Sequence, residues 1–265
     1  MPTSTTAHAP RHRLALAAAL VLSLGASAPA ARAEDDRHRF VAVAERPIRV
    51  AFLISEGATL IDFAGPWEVF QDVMVDGAGR PIRTMAQLGD PSARHPFALY
   101  TVAATREPFR VSGGLGVVAD HTFADAPAPD LIVVPAHQAT EAELAWLRRA
   151  AGDADLTMSV CTGASVLARA GLLDGQRATT HAWFVEPLGA RYPKATFLAG
   201  ARFVESGRVA SSAGLSAGID LALRVVERYL GREVAEGTAT FMEYQGAGWR
   251  QPAGAPLGRG RRVGP

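Results

Sequence analysis

Apolar residues in this chain fall into short blocks bounded by Pro and Gly, alternating with longer stretches of helical period. Pro47-Ile-Arg-Val-Ala-Phe-Leu-Ile54, closed by Gly57, predicts a buried parallel strand. Glu56 to Asp62 reads as a loop, and Gly65-Pro66 opens a helix to about Val75, because Pro favours the first helical turn. Residues 76–96 are rich in Gly, Pro and Asp without periodicity and read as an irregular surface insertion. Phe97–Ala103 and Arg110–Ala119 are strand-like, interrupted by Gly113-Gly114, and Asp130-Leu-Ile-Val-Val-Pro135 is another buried strand. Thr140 caps a helix to Ala151, with Glu143 three residues on.

After the segment from Asp155 to Gly171, Arg177–Thr180 is a short strand. Phe203–Ala210 holds two strands around a Ser206-Gly207 turn. Ala217–Leu230 carries Ile219, Leu221, Ala222, Val225, Val226 and Tyr229 at helical spacing, and Glu233–Tyr244 is a last helix. From Gly246 to Pro265 the chain is mostly Gly, Pro and Arg, which predicts a disordered tail. Strands alternating with helices predict one doubly wound α/β domain over residues 47–245. In such sheets, sites gather at the carboxyl ends of strands.

The N-terminal segment changes the picture of where the chain works. Arg11, His12 and Arg13 precede an apolar run from Leu14 to Leu24, and Ala31-Arg-Ala33 has the small-x-small form of a cleavage site. Residues 1–33 therefore read as a secretory signal and 34–46 as a linker. A protein cleaved near Ala33 would be secreted, or periplasmic in a cell with two membranes; retention as an anchor is the alternative. No later segment approaches the ~20 apolar residues of a membrane span. The whole chain of 265 residues has 27 basic and 26 acidic side chains. Loss of Arg11, Arg13 and Arg32 leaves a formal charge of −2, which offers no case for binding nucleic acid or an anionic membrane.

Composition then isolates one residue. Cys161 is the single cysteine, so no intramolecular disulfide forms. It stands where an apolar stretch turns into small, helix-forming residues, Ser159-Val-Cys-Thr-Gly-Ala164. Helix N-terminal amides there are expected to lower its pKa and sharpen it as a nucleophile; the alternative is a small buried hydrophobe. Scattered His residues give no metal-ligand cluster, and no phosphate-binding Gly loop follows the first strand. No cofactor is implied.

These residues also carry a resemblance. Ser159–Ala164, Ala170-Gly-Leu-Leu-Asp-Gly175 and Arg177-Ala-Thr-Thr-His181 resemble the nucleophile-elbow block of the ThiJ/PfpI superfamily. Gly57-Ala-Thr-Leu-Ile-Asp62 through Phe70, Ser211–Asp220 and Met242-Glu-Tyr244 are similar to its isonitrile-hydratase branch. The resemblance implies a flavodoxin-like, class I glutamine-amidotransferase-like fold, with a mostly parallel sheet and helices on both faces. It implies Cys161 as nucleophile, Asp62 as the carboxylate that trades its proton, and Thr162 as a polarising neighbour. Residue by residue, the alternatives are an N-cap role for Asp62 at the Gly65 helix and for Thr162 at the elbow helix. Gly57, Ala136, His137 and His181 are implied as pocket residues, with a structural role for His181 equally open. A small-molecule substrate and a homodimer are expected.

Two departures stand out. Ala136-His137-Gln138 replaces a usual Gly-Gly pair, adding two polar side chains near the pocket mouth. Ala182 separates His181 from Trp183, displacing the aromatic. The resemblance extends to the sensor half of AraC-type regulators, but the chain leaves no length for their DNA-binding helices. Three functions follow as expectations: a Cys-dependent hydratase or hydrolase, a non-catalytic sensor, and a redox-defence protein.

Overall fold

Buried strand β1 (Ile48–Leu53) lies at the middle of the sheet, as its unbroken apolar run predicts. The computed structural model describes residues 46–255. The expected signal at 1–33 and almost all of the linker lie outside the described residues, as do residues 256–265. After β1 come α1 (Leu60–Gln71), α2 (Met85–Leu88), β2 (Phe97–Ala103), β3 (Phe109–Arg110), β4 (Gly116–Val117), β5 (His121–Thr122), β6 (Leu131–Val134) and α3 (Glu141–Asp153). The second half holds β7 (Leu156–Val160), α4 (Gly163–Arg169), β8 (Arg177–Ala178), α5 (Val185–Arg191), β9 (Thr196–Phe197), β10 (Phe203–Ser206), β11 (Val209–Ser212), α6 (Ala217–Leu230) and α7 (Arg232–Phe241).

Seven strands form one sheet in the order β10-β11-β7-β6-β1-β2-β5. All pairs are parallel except the β10–β11 hairpin. This is the flavodoxin-like, doubly wound α/β architecture, with helices on both faces. Because side chains alternate along a strand, Val50, Phe52, Leu131, Val133 and Met158 pack on one face with Phe63, Phe70 and Leu221 of α1 and α6. Ala51, Leu53, Ile132 and Val134 face the other way, onto Leu144 and Leu147 of α3 and Leu167 of α4. Connections leave β1 toward β2 on one side and return to β6 on the other, so a crevice opens where the order reverses.

Three expectations are corrected. The first helix starts at Leu60, not Gly65, and ends at Gln71; Pro66 lies inside it. Its buried side chains, Asp62, Phe63, Pro66, Val69 and Phe70, follow the spacing of one helix face. Packing of that face offsets an interior Pro that costs on the order of 3 kcal/mol in an isolated helix. The expected strand Arg110–Ala119 is instead the small hairpin β3–β4, turned by Gly113 and Gly114 at φ 74° and 83°.

The third correction concerns the tail. Residues 246–255 are ordered: Trp249 is 0% exposed, and its amide donates to Asp220 Oδ1 at 3.0 Å. The Gly254 amide donates to Phe203 O at 2.9 Å. A segment poor in apolar residues is held because one indole buries about 150–250 Å² by itself. Gly248 is required there, since a Cβ would stand 2.7 Å from Asp220 Oδ2.

Candidate active site

Cys161 follows the last residue of fully buried β7 and adopts φ 57°, the left-handed region, at a cost of about 1–2 kcal/mol for a non-Gly residue. Neighbouring elements hold it there. Its amide donates to Ala213 O at 3.2 Å, and the Thr180 hydroxyl donates to its carbonyl at 2.9 Å. The chain then turns so sharply that a Cβ at Gly163 would lie 2.2 Å from Val134 O. The small residues after the Cys are thus a steric necessity of the elbow.

Asp62 reaches this point from the first turn of α1. The Ala136 amide, just past β6, donates to its Oδ2 at 3.2 Å, while the Thr59 amide donates back to Ala136 O at 2.9 Å. Oδ1 is buried without a partner of full hydrogen-bond geometry. Burial pushes the Asp62 carboxyl up to about 6, against the opposing effects of the Ala136 and Leu215 amides and the Cys161 thiol. Asp62 is therefore not the N-cap of a helix at Gly65; it is a buried acid set against the sulfur.

The expected lowering of the Cys161 pKa is reversed. Burial pushes the thiol up, and the facing Asp62 charge adds to it. The Thr162 and Leu215 amides and the Thr162 hydroxyl pull the other way without prevailing. The residue is only 8% exposed, and α4 is just seven residues long. At neutral pH the pair rests as thiol and carboxylate, with the base already beside the nucleophile. Thr162 makes no side-chain cap bond to α4, so its hydroxyl serves the sulfur rather than the helix end.

A cavity of about 750 Å³ opens beside Thr162 at the crevice between β1 and β6. Gly57, at φ 74°, and Ala136 line it, as expected. His137 lines it as well. Its side chain is 0% exposed: Nδ1 donates to Pro135 O at 3.0 Å, and Nε2 lies 3.4 Å from Glu143 Oε1 of α3. Its imidazole is thereby tied to the start of α3.

His181 packs its ring on the loop after β11, where a Cβ at Gly214 would stand 2.3 Å from its Cδ2. Its Nδ1 accepts from the Trp183 amide at 3.3 Å, and among the described residues it makes no hydrogen bond to Cys161 or Asp62. Trp183 stands 83% exposed. Two contributors lie within the matched motifs but were not singled out there: the Leu215 amide and the Thr180 hydroxyl. Leu215 has φ 55°, and only the Gly214 beside it hints in the sequence at so tight a loop. Among the described residues, no three His, Cys, Asp or Glu side chains gather as a metal site, and no helix is long and apolar enough to cross a membrane.

Comparison with known proteins places these features. A profile of the DJ-1/PfpI family matches residues 48–228. Isonitrile hydratase of Pseudomonas putida is 30% identical over 207 residues, 74% of this chain and 78% of that protein. The transcriptional regulator GbdR of Pseudomonas aeruginosa is 26% identical over 204 residues, 75% of this chain and 51% of the regulator. The crystal structure of a ThiJ/PfpI family protein from Pseudomonas syringae superposes with a TM-score of 0.63 at 24% identity, over 76% of each chain.

Proposed function

The chain belongs to the DJ-1/PfpI family, and from that premise we propose an exported, cysteine-dependent hydratase of small molecules, with isonitriles as the substrate class. The observation that carries this reading is the pairing of Cys161 with a buried carboxylate whose pKa is pushed up to about 6. A general base is most effective when its pKa lies near the working pH. Export is supported by the basic and apolar segments of residues 11–33.

In this reaction Asp62 takes the thiol proton as Sγ bonds to the terminal isonitrile carbon. It returns that proton to the same carbon, leaving a thioformimidate, S–CH=N. Water adds across the C=N bond, its hydroxyl to carbon and its proton to nitrogen. The S–C bond then breaks and the hydroxyl proton passes through Asp62 to sulfur. An N-substituted formamide leaves and the resting pair is restored. The amides of Thr162 and Leu215 steady the sulfur whenever it carries charge.

Purified protein from residue 34 onward should convert cyclohexyl isocyanide to N-cyclohexylformamide, with a loss of about 10³-fold or more in Cys161→Ala. A rate no greater than that of Cys161→Ala would overturn the reading. The resemblance to regulators supplies the competing outcome: saturable ligand binding unchanged in Cys161→Ala would point to a sensor.

A further inference from the structure

The chain places Ala136-His137-Gln138 directly after Pro135 and the buried run of β6. Asp62 draws on the Ala136 amide, while His137 has no part in the bond making. Yet the His137 side chain is 0% exposed, and a buried polar ring needs partners. Nδ1 donates to Pro135 O at 3.0 Å, and Nε2 stands 3.4 Å from Glu143 Oε1. Nε2 and Oε1 are buried and have no other hydrogen-bond partner among the described residues. Glu143 is fixed in turn, since its Oε2 accepts from the Thr140 amide at 2.5 Å. The ring is thus clamped between the first turn of α3 and the backbone two residues before it.

Pro135 O matters because of the peptide group it belongs to. That oxygen and the Ala136 N–H are the two polar ends of one planar trans unit, and they point in opposite directions. At one end the His137 ring donates to the oxygen at 3.0 Å; at the other the N–H donates to Asp62 Oδ2 at 3.2 Å. Fixing either end fixes the direction of the other. The bond at the oxygen also polarises the group, because hydrogen bonds in a chain strengthen one another. Neighbouring backbone closes in on the same unit. A Cβ on Gly163 would stand 2.9 Å from Pro135 O, and Ala136 O accepts from the Thr59 amide at 2.9 Å, just ahead of the helix that carries Asp62.

We propose that His137 is a positioning residue: its ring holds the Pro135–Ala136 peptide so that the N–H stays on Asp62, and so sets how readily that acid exchanges a proton with Cys161. In its effect on rate this rests on the hydratase reading; in its effect on Asp62 it does not. His137 acts through a single peptide group, with Glu143 of α3 as the charged side chain facing the ring and Asp62 of α1 beyond the peptide.

His137→Leu removes both ring nitrogens, whereas His137→Asn keeps a donor where Nδ1 stood. The Ala136 bond pulls the Asp62 carboxyl down, so its loss should carry that carboxyl above its present value of about 6. The acid limb of kcat/KM for cyclohexyl isocyanide should then move up by about one pH unit, as the loss of one hydrogen bond implies. Turnover by His137→Leu should fall about fivefold at pH 6 and come back close to that of the unmodified protein at pH 8. His137→Asn should restore most of the difference. An acid limb that stays in place, or an equal loss at every pH, overturns the proposal and leaves the hydratase reading standing.

If no isonitrile is turned over beyond the Cys161→Ala control, the hydratase reading fails, and carbon-13 NMR of the Asp62 carboxyl decides the role of His137. That signal is assigned by its absence from Asp62→Asn. A titration that moves up in His137→Leu and back in His137→Asn supports the role, and an unmoved one overturns it. Should the His137 variants not fold, nitrogen-15 NMR of the His137 ring answers in the unmodified protein and Asp62→Asn. An Nδ1 signal that differs between them supports coupling through the peptide; an identical one overturns it.

Discussion

Two helices of this protein begin with the same local pattern, a Thr followed three residues later by an acid, and use it in opposite ways. At α3, Thr140 and Glu143 form a complete capping box: the Glu143 amide reaches the Thr140 hydroxyl, and the Thr140 amide donates to Glu143 Oε2 at 2.5 Å. At α1, the Thr59 hydroxyl makes no cap bond, and Asp62 turns away from the helix end toward Ala136 and Cys161. Both acids are buried. Glu143 is nonetheless held below its usual range: burial pushes it up, but bonds from His137 and Thr140 more than reverse that. Asp62 has the Ala136 and Leu215 amides and the Cys161 thiol as donors, but they do not offset its burial, and it is pushed up. The same segment after β6 serves both, giving one the Ala136 amide and the other the His137 ring. A carboxylate whose bonds outweigh its burial stabilises the fold; one whose burial outweighs its bonds is left able to move a proton.

The contrast is broken most strongly by removing the Asp62 charge. Asp62→Asn should lower isonitrile turnover by about 10²–10⁴-fold, while Glu143→Gln, assayed well below its melting point, keeps its rate. Next in size is stability. Glu143→Ala leaves the buried His137 ring without its partner and should cost about 3–5 kcal/mol in urea unfolding.

Asp62→Asn should move the other way. A carboxyl raised from 3.8 to about 6 opposes folding once it is ionised, so the substitution should stabilise by about 3 kcal/mol at pH 7. The sign with pH follows. The native state binds the extra proton, so the Asp62 contribution weakens stability as pH rises between about 3.8 and 6. Melting curves of the unmodified protein and Asp62→Asn should therefore converge below pH 4 and separate above pH 6. Glu143 behaves oppositely, with stability that is lost as pH falls through its lowered native value. The smallest effect sharpens the comparison at the hydroxyls: Thr140→Ala should cost about 1 kcal/mol, and Thr59→Ala only a few tenths, read by the same melts.

Much of this was legible in the chain. The apolar runs of β1 and β6 show as buried strands, the Thr140 box marks its helix start, and Ala217–Leu230 folds with the ends its periodicity predicts. The start of α1 was hidden because Pro66 imitates a helix opener, although Thr59-Leu-Ile-Asp62 repeats the α3 signal. Cys161, Asp62 and Thr162 do come together. The Leu215 amide did not show, since every residue but Pro carries an amide and only the fold aims it. Nor could spacing reveal the raised Cys161 thiol, which depends on how deeply the sulfur sits and on which charge faces it.

Trp249 has a practical consequence for where this chain is cut. The span matched by its family ends at residue 228, within α6. A fragment trimmed there, or at Tyr244, would lose the indole that Arg250 covers at 4.6 Å and the amide that binds Asp220. Asp220 would keep Arg202, whose guanidinium also donates to Ser216, beside the loop that brings the Leu215 amide to the sulfur. The smallest fragment that keeps these contacts runs to Arg250, and keeping the Gly254 amide on Phe203 O extends it to Gly254.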